Sequence, residues 1–152
     1  MNLTVVPFGN AKITGNSMTC QHGLNECSGN SYEQCAISLY PDPADYLPWL
    51  SCFDQASSTG SLEDVMSKCA SDNGLDWDKI ASCHDDEDMS WDLQVAAAAA
   101  TPEDHTYVPW VVLDGDALDL NTCDDFLQAV CDAYKGDTPD ACKKSKMLCM
   151  KD

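Results

Sequence analysis

The chain is 152 residues long, enough for one domain with a buried core, and sets 26 acidic residues against 8 lysines and no arginine, a formal net charge of -18. Nucleic acid and anionic membrane surfaces both select clustered positive charge, so neither is a partner of such a chain. No stretch reaches the roughly 20 apolar residues of a membrane span, and ten cysteines point to an oxidising compartment rather than the cytosol.

In chain order, residues 3 to 8 are β-branched and apolar around Pro7, the pattern of a short strand whose proline marks an edge or an end, closed by Gly9-Asn10. Asn2-Leu3-Thr4 is a glycosylation sequon at its start. Residues 11 to 29 are polar and glycine-containing, which predicts a loop pinned by its cysteines. Asn30 and Glu33 form a cap-like pair ahead of Ala36, Ile37, Leu39 and Tyr40, so a helix is expected from Asn30. Pro41 and Pro43 separate it from a second helix over Asp45 to Ala56, where Tyr46, Leu47, Leu50 and Phe53 recur at helical spacing. Ser61 with Asp64 caps a third through Val65, Met66 and Cys69, ended by the Asn73-Gly74 turn.

Further helices are expected over Asp76 to Ser82 and Asp85 to Ala99. The run Asp85-Asp86-Glu87-Asp88 sits where the helix dipole favours negative charge, and it lacks the ordered pattern of a calcium loop. Trp110 to Leu113 is strand-like, and Asp114-Gly115 is a hairpin signal into a partner around Ala117-Leu118. The spacing of Asp114, Asp116 and Asp119 fits that turn and misses the calcium motif. Thr122 with Asp125 caps a last helix carrying Phe126, Leu127, Val130, Cys131 and Tyr134, stopped by Gly136 and Pro139. Bridges tying short neighbouring elements across modest loops are expected for Cys69 with Cys83 and Cys131 with Cys142.

The densest chemistry lies between Cys20 and Cys35: Cys20-Gln21-His22-Gly23, then Glu26-Cys27, Asn30 and Cys35 at fixed separations. Read from the residues alone, this is a disulfide-stapled loop entering a helix. Zinc is the chemical alternative, since Cys20, His22, Cys27 and Cys35 are suitable ligand types, but the short knuckles of common structural sites are missing. His84 and His105 have no nucleophile motif beside them.

The segment resembles the signature of the gamma-interferon-inducible lysosomal thiol reductase (GILT) family. His105-Thr106-Tyr107-Val108-Pro109-Trp110-Val111-Val112-Leu113-Asp114-Gly115 and Leu3-Thr4-Val5-Val6-Pro7-Phe8-Gly9-Asn10 resemble two further family segments. The resemblance implies an α/β, thioredoxin-like domain spanning residues 1 to 152, with a helical insertion over about residues 30 to 100. It further implies a soluble lysosomal, endosomal or secreted thiol reductase acting on disulfide-containing proteins without a cofactor. Val108 and Pro109, with a cis bond between them, then present backbone to the substrate.

The family's Cys-x-x-Cys belongs upstream of the opening strand, and no two cysteines here are two residues apart. The domain is therefore expected to lack its first strand and redox helix, roughly forty residues in a βαβ unit. Met1 leads straight into Asn2-Leu3-Thr4, which is the expectation for a truncated, processed or incompletely defined start. Cys123, in the first turn after Thr122, is the candidate replacement thiol, because a helix N-terminus lowers a thiol pKa, although a structural disulfide is the reading a cysteine-rich exported chain favours for it. The other reading is a non-catalytic, disulfide-stapled secreted binding module with the same fold.

Overall fold

The computed structural model describes residues 2–56, 60–120 and 123–143. Its backbone divides into two compact units, Leu3–Val108 and the stretch from Pro109 onward. Helices predominate, with two small antiparallel hairpins, so the described residues form a mixed α/β chain.

In the first unit, residues 3 to 6 carry no regular secondary structure and pair with no strand among the described residues, and residues 7 to 10 turn. The strand expected over 3 to 8 therefore does not form in the described structure, because a strand exists only through a partner's hydrogen bonds. The region expected to be loop instead begins with a hairpin of β1 (Lys12–Thr14) and β2 (Ser17–Thr19), in register Lys12↔Thr19 and Ile13↔Met18. Gly15 allows it by adopting φ +62° at the first turn position.

Helix α1 (Leu24–Leu39) starts six residues earlier than Asn30. Gly23, at φ +90°, turns the chain into it, and the Cys27 N–H reaches the Gly23 carbonyl at 3.4 Å to open the ladder. The polar first turns hide this start from propensity, yet tertiary contacts hold them helical.

Four helices follow: α2 (Pro43–Gln55), α3 (Leu62–Asp72), α4 (Trp77–Asp85) and α5 (Glu87–Ala100). The acidic residues are used at their starts. Asp42, Asp76 and Asp86 accept from the Ala44, Lys79 and Met89 N–H groups, and Ser61 with Asp64 makes a reciprocal capping box. Asp86 thus ends α4 and caps α5, leaving Glu87 and Asp88 in the first turn of α5.

The core of this unit gathers Trp49, Met66, Ile80, Cys35, Ala36 and Ala70 from α1 to α4, all fully buried. The Trp49 indole N–H donates to the Met66 carbonyl at 3.0 Å, so the largest buried ring carries no orphan donor. Bridges Cys35–Cys83 and Cys52–Cys69 tie α1 to α4 and α2 to α3. The expected Cys69–Cys83 bridge is thereby corrected: both cysteines are bonded, each to a different partner. Loop length gave no weight to Cys52, which helix packing brings within 5.7 Å of Cys69, Cα to Cα.

The second unit holds a hairpin of β3 (Val112–Leu113) and β4 (Asp116–Ala117), followed by α6 (Cys123–Ala133). Asp114 at φ 52° and Gly115 at φ 97° form its turn, both left-handed as a two-residue hairpin with the native strand twist requires. Cys131 and Cys142 are bonded across the end of α6, 5.5 Å between Cα atoms. Thr122 and Cys149 lie outside the described residues.

Candidate functional site

The signature residues assemble around the start of α1. Cys20 and Cys27 are bonded, Cα to Cα 5.6 Å, closing the loop that contains His22 and Gly23. Glu26, in the first turn, reaches back: its Oε2 accepts from the His22 backbone N–H at 2.6 Å and lies 3.0 Å from His22 Nδ1. That loop is therefore held covalently and by two carboxylate contacts, at the end of the helix where negative charge is favoured.

Amide side chains carry the connection outward. Asn30 and Gln34, one helical turn apart on α1, donate to the carbonyls of Phe8 at 3.2 Å and Pro7 at 2.7 Å. Among the described residues neither carbonyl has a strand partner; Phe8 also accepts from the Ala11 N–H at 3.2 Å, and α1 supplies the side-chain donors. Gln21 Oε1 accepts from Asn10 Nδ2 at 2.8 Å, and Asn10 Oδ1 lies 3.3 Å from His105 Nε2. The other ring nitrogen of His105 sits 2.6 Å from the Pro102 carbonyl. The signature is thus a strap that joins the opening segment, the first turns of α1 and the stretch leading to Val108.

Val108 and Pro109 are exposed, as is the neighbouring Tyr107. Cys123 opens α6, and its side chain lies outside the described part of the structure. The zinc arrangement does not form: Cys20, Cys27 and Cys35 all lie in bridges, Cys35 with Cys83, so their sulfurs are not thiolate ligands. Among the described residues no group of three or more acidic, histidine or cysteine side chains is placed to hold a metal ion.

One polar constellation escaped the sequence reading. His84 Nδ1 lies 2.9 Å from Ser31 Oγ, which lies 2.8 Å from Ser90 Oγ, and Gln94 donates to Ser90 at 3.1 Å. The His84 ring also packs on Tyr32, centroids 3.9 Å apart. Burial lowers the His84 pKa, against the raising pull of Asp85 and Glu63. The Tyr32 hydroxyl is pushed up to about 12, by burial first and then by Glu63 and Asp85.

A histidine beside a serine invites a hydrolase reading. Ser31 is only 2% exposed, however, so no substrate carbonyl reaches it, and the chain is a buried relay joining α1, α4 and α5. Its members stand 53 and 59 residues apart, with no local motif to announce them.

The family described as Gamma interferon inducible lysosomal thiol reductase (GILT) matches residues 1–73, a range that contains the whole Cys20 to Cys35 signature. A "Gamma-interferon-responsive lysosomal thiol protein" of Arabidopsis thaliana is 36% identical over 97% of this chain and 63% of its own length. A "Gamma-interferon-inducible lysosomal thiol reductase" of Carassius auratus is 29% identical over 99% of this chain and 64% of its own. The mouse protein of that name is 29% identical over 93% of this chain and 58% of its own. The chain therefore spans less than two thirds of the length of these relatives. The Cys20-Gln21-His22-Gly23 strap, its disulfide and these similarities along the chain together establish that it belongs to the GILT family.

Proposed function

We propose that this chain is the stapled, substrate-facing part of a thioredoxin-like thiol reductase that opens protein disulfides in an acidic endosomal, lysosomal or extracellular setting. The observation that carries the reading is the strap itself. It runs from Cys20 and Cys27 through Gln21, Asn10 and His105 towards the exposed Val108–Pro109 backbone, where a substrate strand can lie. In the reaction a thiolate attacks one substrate sulfur and forms a mixed disulfide, while the other substrate sulfur leaves as a thiolate. A second enzyme thiol then displaces the first sulfur, releasing substrate dithiol and leaving an enzyme disulfide, which an external dithiol reduces.

The eight cysteines with described sulfurs are already paired in four bridges and serve as staples. Resemblance to the family puts the attacking pair in a Cys-x-x-Cys upstream of the opening segment, and Cys123 is the candidate within this sequence. That complete pairing also supports the second reading, a non-catalytic binding module.

Turnover on a denatured disulfide protein at pH 5 separates the two. The chain alone is expected to show none, and the chain extended upstream through a Cys-x-x-Cys to be active. Turnover by the chain alone that disappears in Cys123→Ser would place the nucleophile at Cys123. An extended chain that binds substrate without turnover supports the binding module. Asn2 and Thr4 are exposed, and in an exported protein Asn2 is the expected glycan site, checked by the mass change on glycosidase treatment.

A further inference from the structure

Among the described residues four bridges staple the chain, and Cys20–Cys27 is built unlike the rest. It closes the shortest loop, with sequence separation 7 against 11, 17 and 48, so breaking it returns the least entropy to the unfolded chain and costs the fold least. Cys35 and Cys83 are 0% and 5% exposed and Cys69 is 3% exposed, whereas Cys20 and Cys27 are both half-buried and every residue from Gln21 to Asn25 is exposed. An exchanging thiol must reach a sulfur directly, which the core bridges forbid and this loop allows.

The loop also keeps its shape without the sulfur bond. The Gly23 N–H donates to the Cys20 carbonyl at 3.2 Å and the Cys27 N–H to the Gly23 carbonyl at 3.4 Å, a backbone path that runs from one cysteine to the other. Glu26 Oε2 closes the same turn by accepting from the His22 N–H at 2.6 Å, and Gln21 is anchored to Asn10. Two thiols freed here stay neighbours at high effective concentration, so the bridge reforms readily after it opens. A bridge that only staples gains little from this second set of ties, whereas a couple that cycles depends on it.

We infer that Cys20–Cys27 is a reversible dithiol–disulfide couple, a redox site carried wholly by this chain, and that its co-reactant is a small dithiol. A thiolate of that dithiol attacks Cys20 Sγ and forms a mixed disulfide, while the Cys20–Cys27 bond breaks and Cys27 leaves as a thiolate. Cys27 is the better leaving group because it lies in the first turn of α1, where the helix dipole stabilises negative charge. The second thiol of the co-reactant then displaces Cys20, so the co-reactant departs as a disulfide and its two protons end on Cys20 and Cys27. Reoxidation runs the same steps backwards. The inference stands apart from the reductase reading, since it needs neither an upstream Cys-x-x-Cys nor Cys123.

The test exposes the chain as it is to reduced dithiothreitol, traps thiols with iodoacetamide over time and maps them by mass. Cys20–Cys27 is expected to open at least about tenfold faster than Cys35–Cys83 and Cys52–Cys69, to open before Cys131–Cys142, and to pair again with itself when oxidised dithiothreitol is supplied. Amide hydrogen exchange in α1 beyond its first two turns should be the same in both states. With glutathione, a monothiol, the mixed disulfide should be trapped on Cys20.

Opening no faster than the core bridges, opening after Cys131–Cys142, or re-pairing of either cysteine with a different partner overturns the couple. Loss of α1 protection on opening also overturns it, because the bridge is then a staple like the others. Glutathione trapped on Cys27 overturns the direction of attack. Turnover on a disulfide protein is read separately: a cycling Cys20–Cys27 in a chain that never turns over, even when extended upstream, defeats the reductase reading alone, and turnover with a Cys20–Cys27 bridge that stays shut defeats this couple alone.

Discussion

Glu33 shows how one side chain can set the pH response of this fold. It lies on α1 with its carboxyl largely buried, and burial first, then the nearby Asp54 charge, raise its pKa from 4.5 to about 7. The folded state therefore binds the proton more tightly than the unfolded chain. Below about pH 4.5 both states are protonated and there is no penalty; as pH rises through 7 the folded state must carry an unfavourable buried charge. His84 acts in the opposite sense, because burial lowers its pKa and charging it below about pH 6.5 costs stability. Glu33→Gln isolates the first effect. The variant should be stabilised by roughly 1 to 3 kcal/mol at pH 7.5 and change little at pH 4.5, read from urea midpoints. Trp49→Phe keeps a buried aromatic ring but loses the indole hydrogen bond to the Met66 carbonyl and part of the indole's volume, and should cost about 1 to 3 kcal/mol.

Among the elements, bridges and caps have different weights. Removing Cys35–Cys83 frees a loop with sequence separation 48, against 7 for Cys20–Cys27. Chain entropy then predicts losses of about 4 and about 2.5 kcal/mol, the first enlarged by its place in the core. Paired Cys→Ala variants should melt in that order. If the Cys20–Cys27 variant melts lower, the strap contributes more than its loop length predicts. Helix starts were legible because a cap is local: Ser61 with Asp64 and the Asp114-Gly115 turn stand as the sequence reading placed them. The start of α1 was not, because Asn30 looks like a cap and instead donates its amide to Phe8, 22 residues away.

For the whole molecule, the ten cysteines include eight in four bridges. Thiol titration of the unfolded, unreduced chain should therefore find at most two thiols per molecule. Four or more would mean that these bridges do not form in solution. A net charge of -18 adds self-repulsion that salt screens. Stability at pH 7.5 should rise between low salt and about 0.15 M, and a flat response would show that the acidic residues are mostly neutralised locally, as the caps are. No helix among the described residues is long and apolar enough to cross a membrane.

By itself the sequence determined whatever is written in neighbouring residues: the oxidising environment implied by ten cysteines, the capped helices, the Asp-Gly hairpin, and the ordered Cys20 to Cys35 signature. These follow from composition and from hydrogen bonds that span three or four residues. Only the tertiary structure decided which cysteines meet, because Cys52 and Cys69 approach through the packing of α2 on α3 and Cys35 meets Cys83 in a core made by four helices. It alone showed that the opening segment has no strand partner among the described residues, that Asn30 and Gln34 donate to its carbonyls, and that His84, Ser31 and Ser90 form one buried relay. Those contacts join residues 17 to 59 positions apart, and a hydrogen bond or a bridge over that distance is specified by the packing of whole elements rather than by any local pattern.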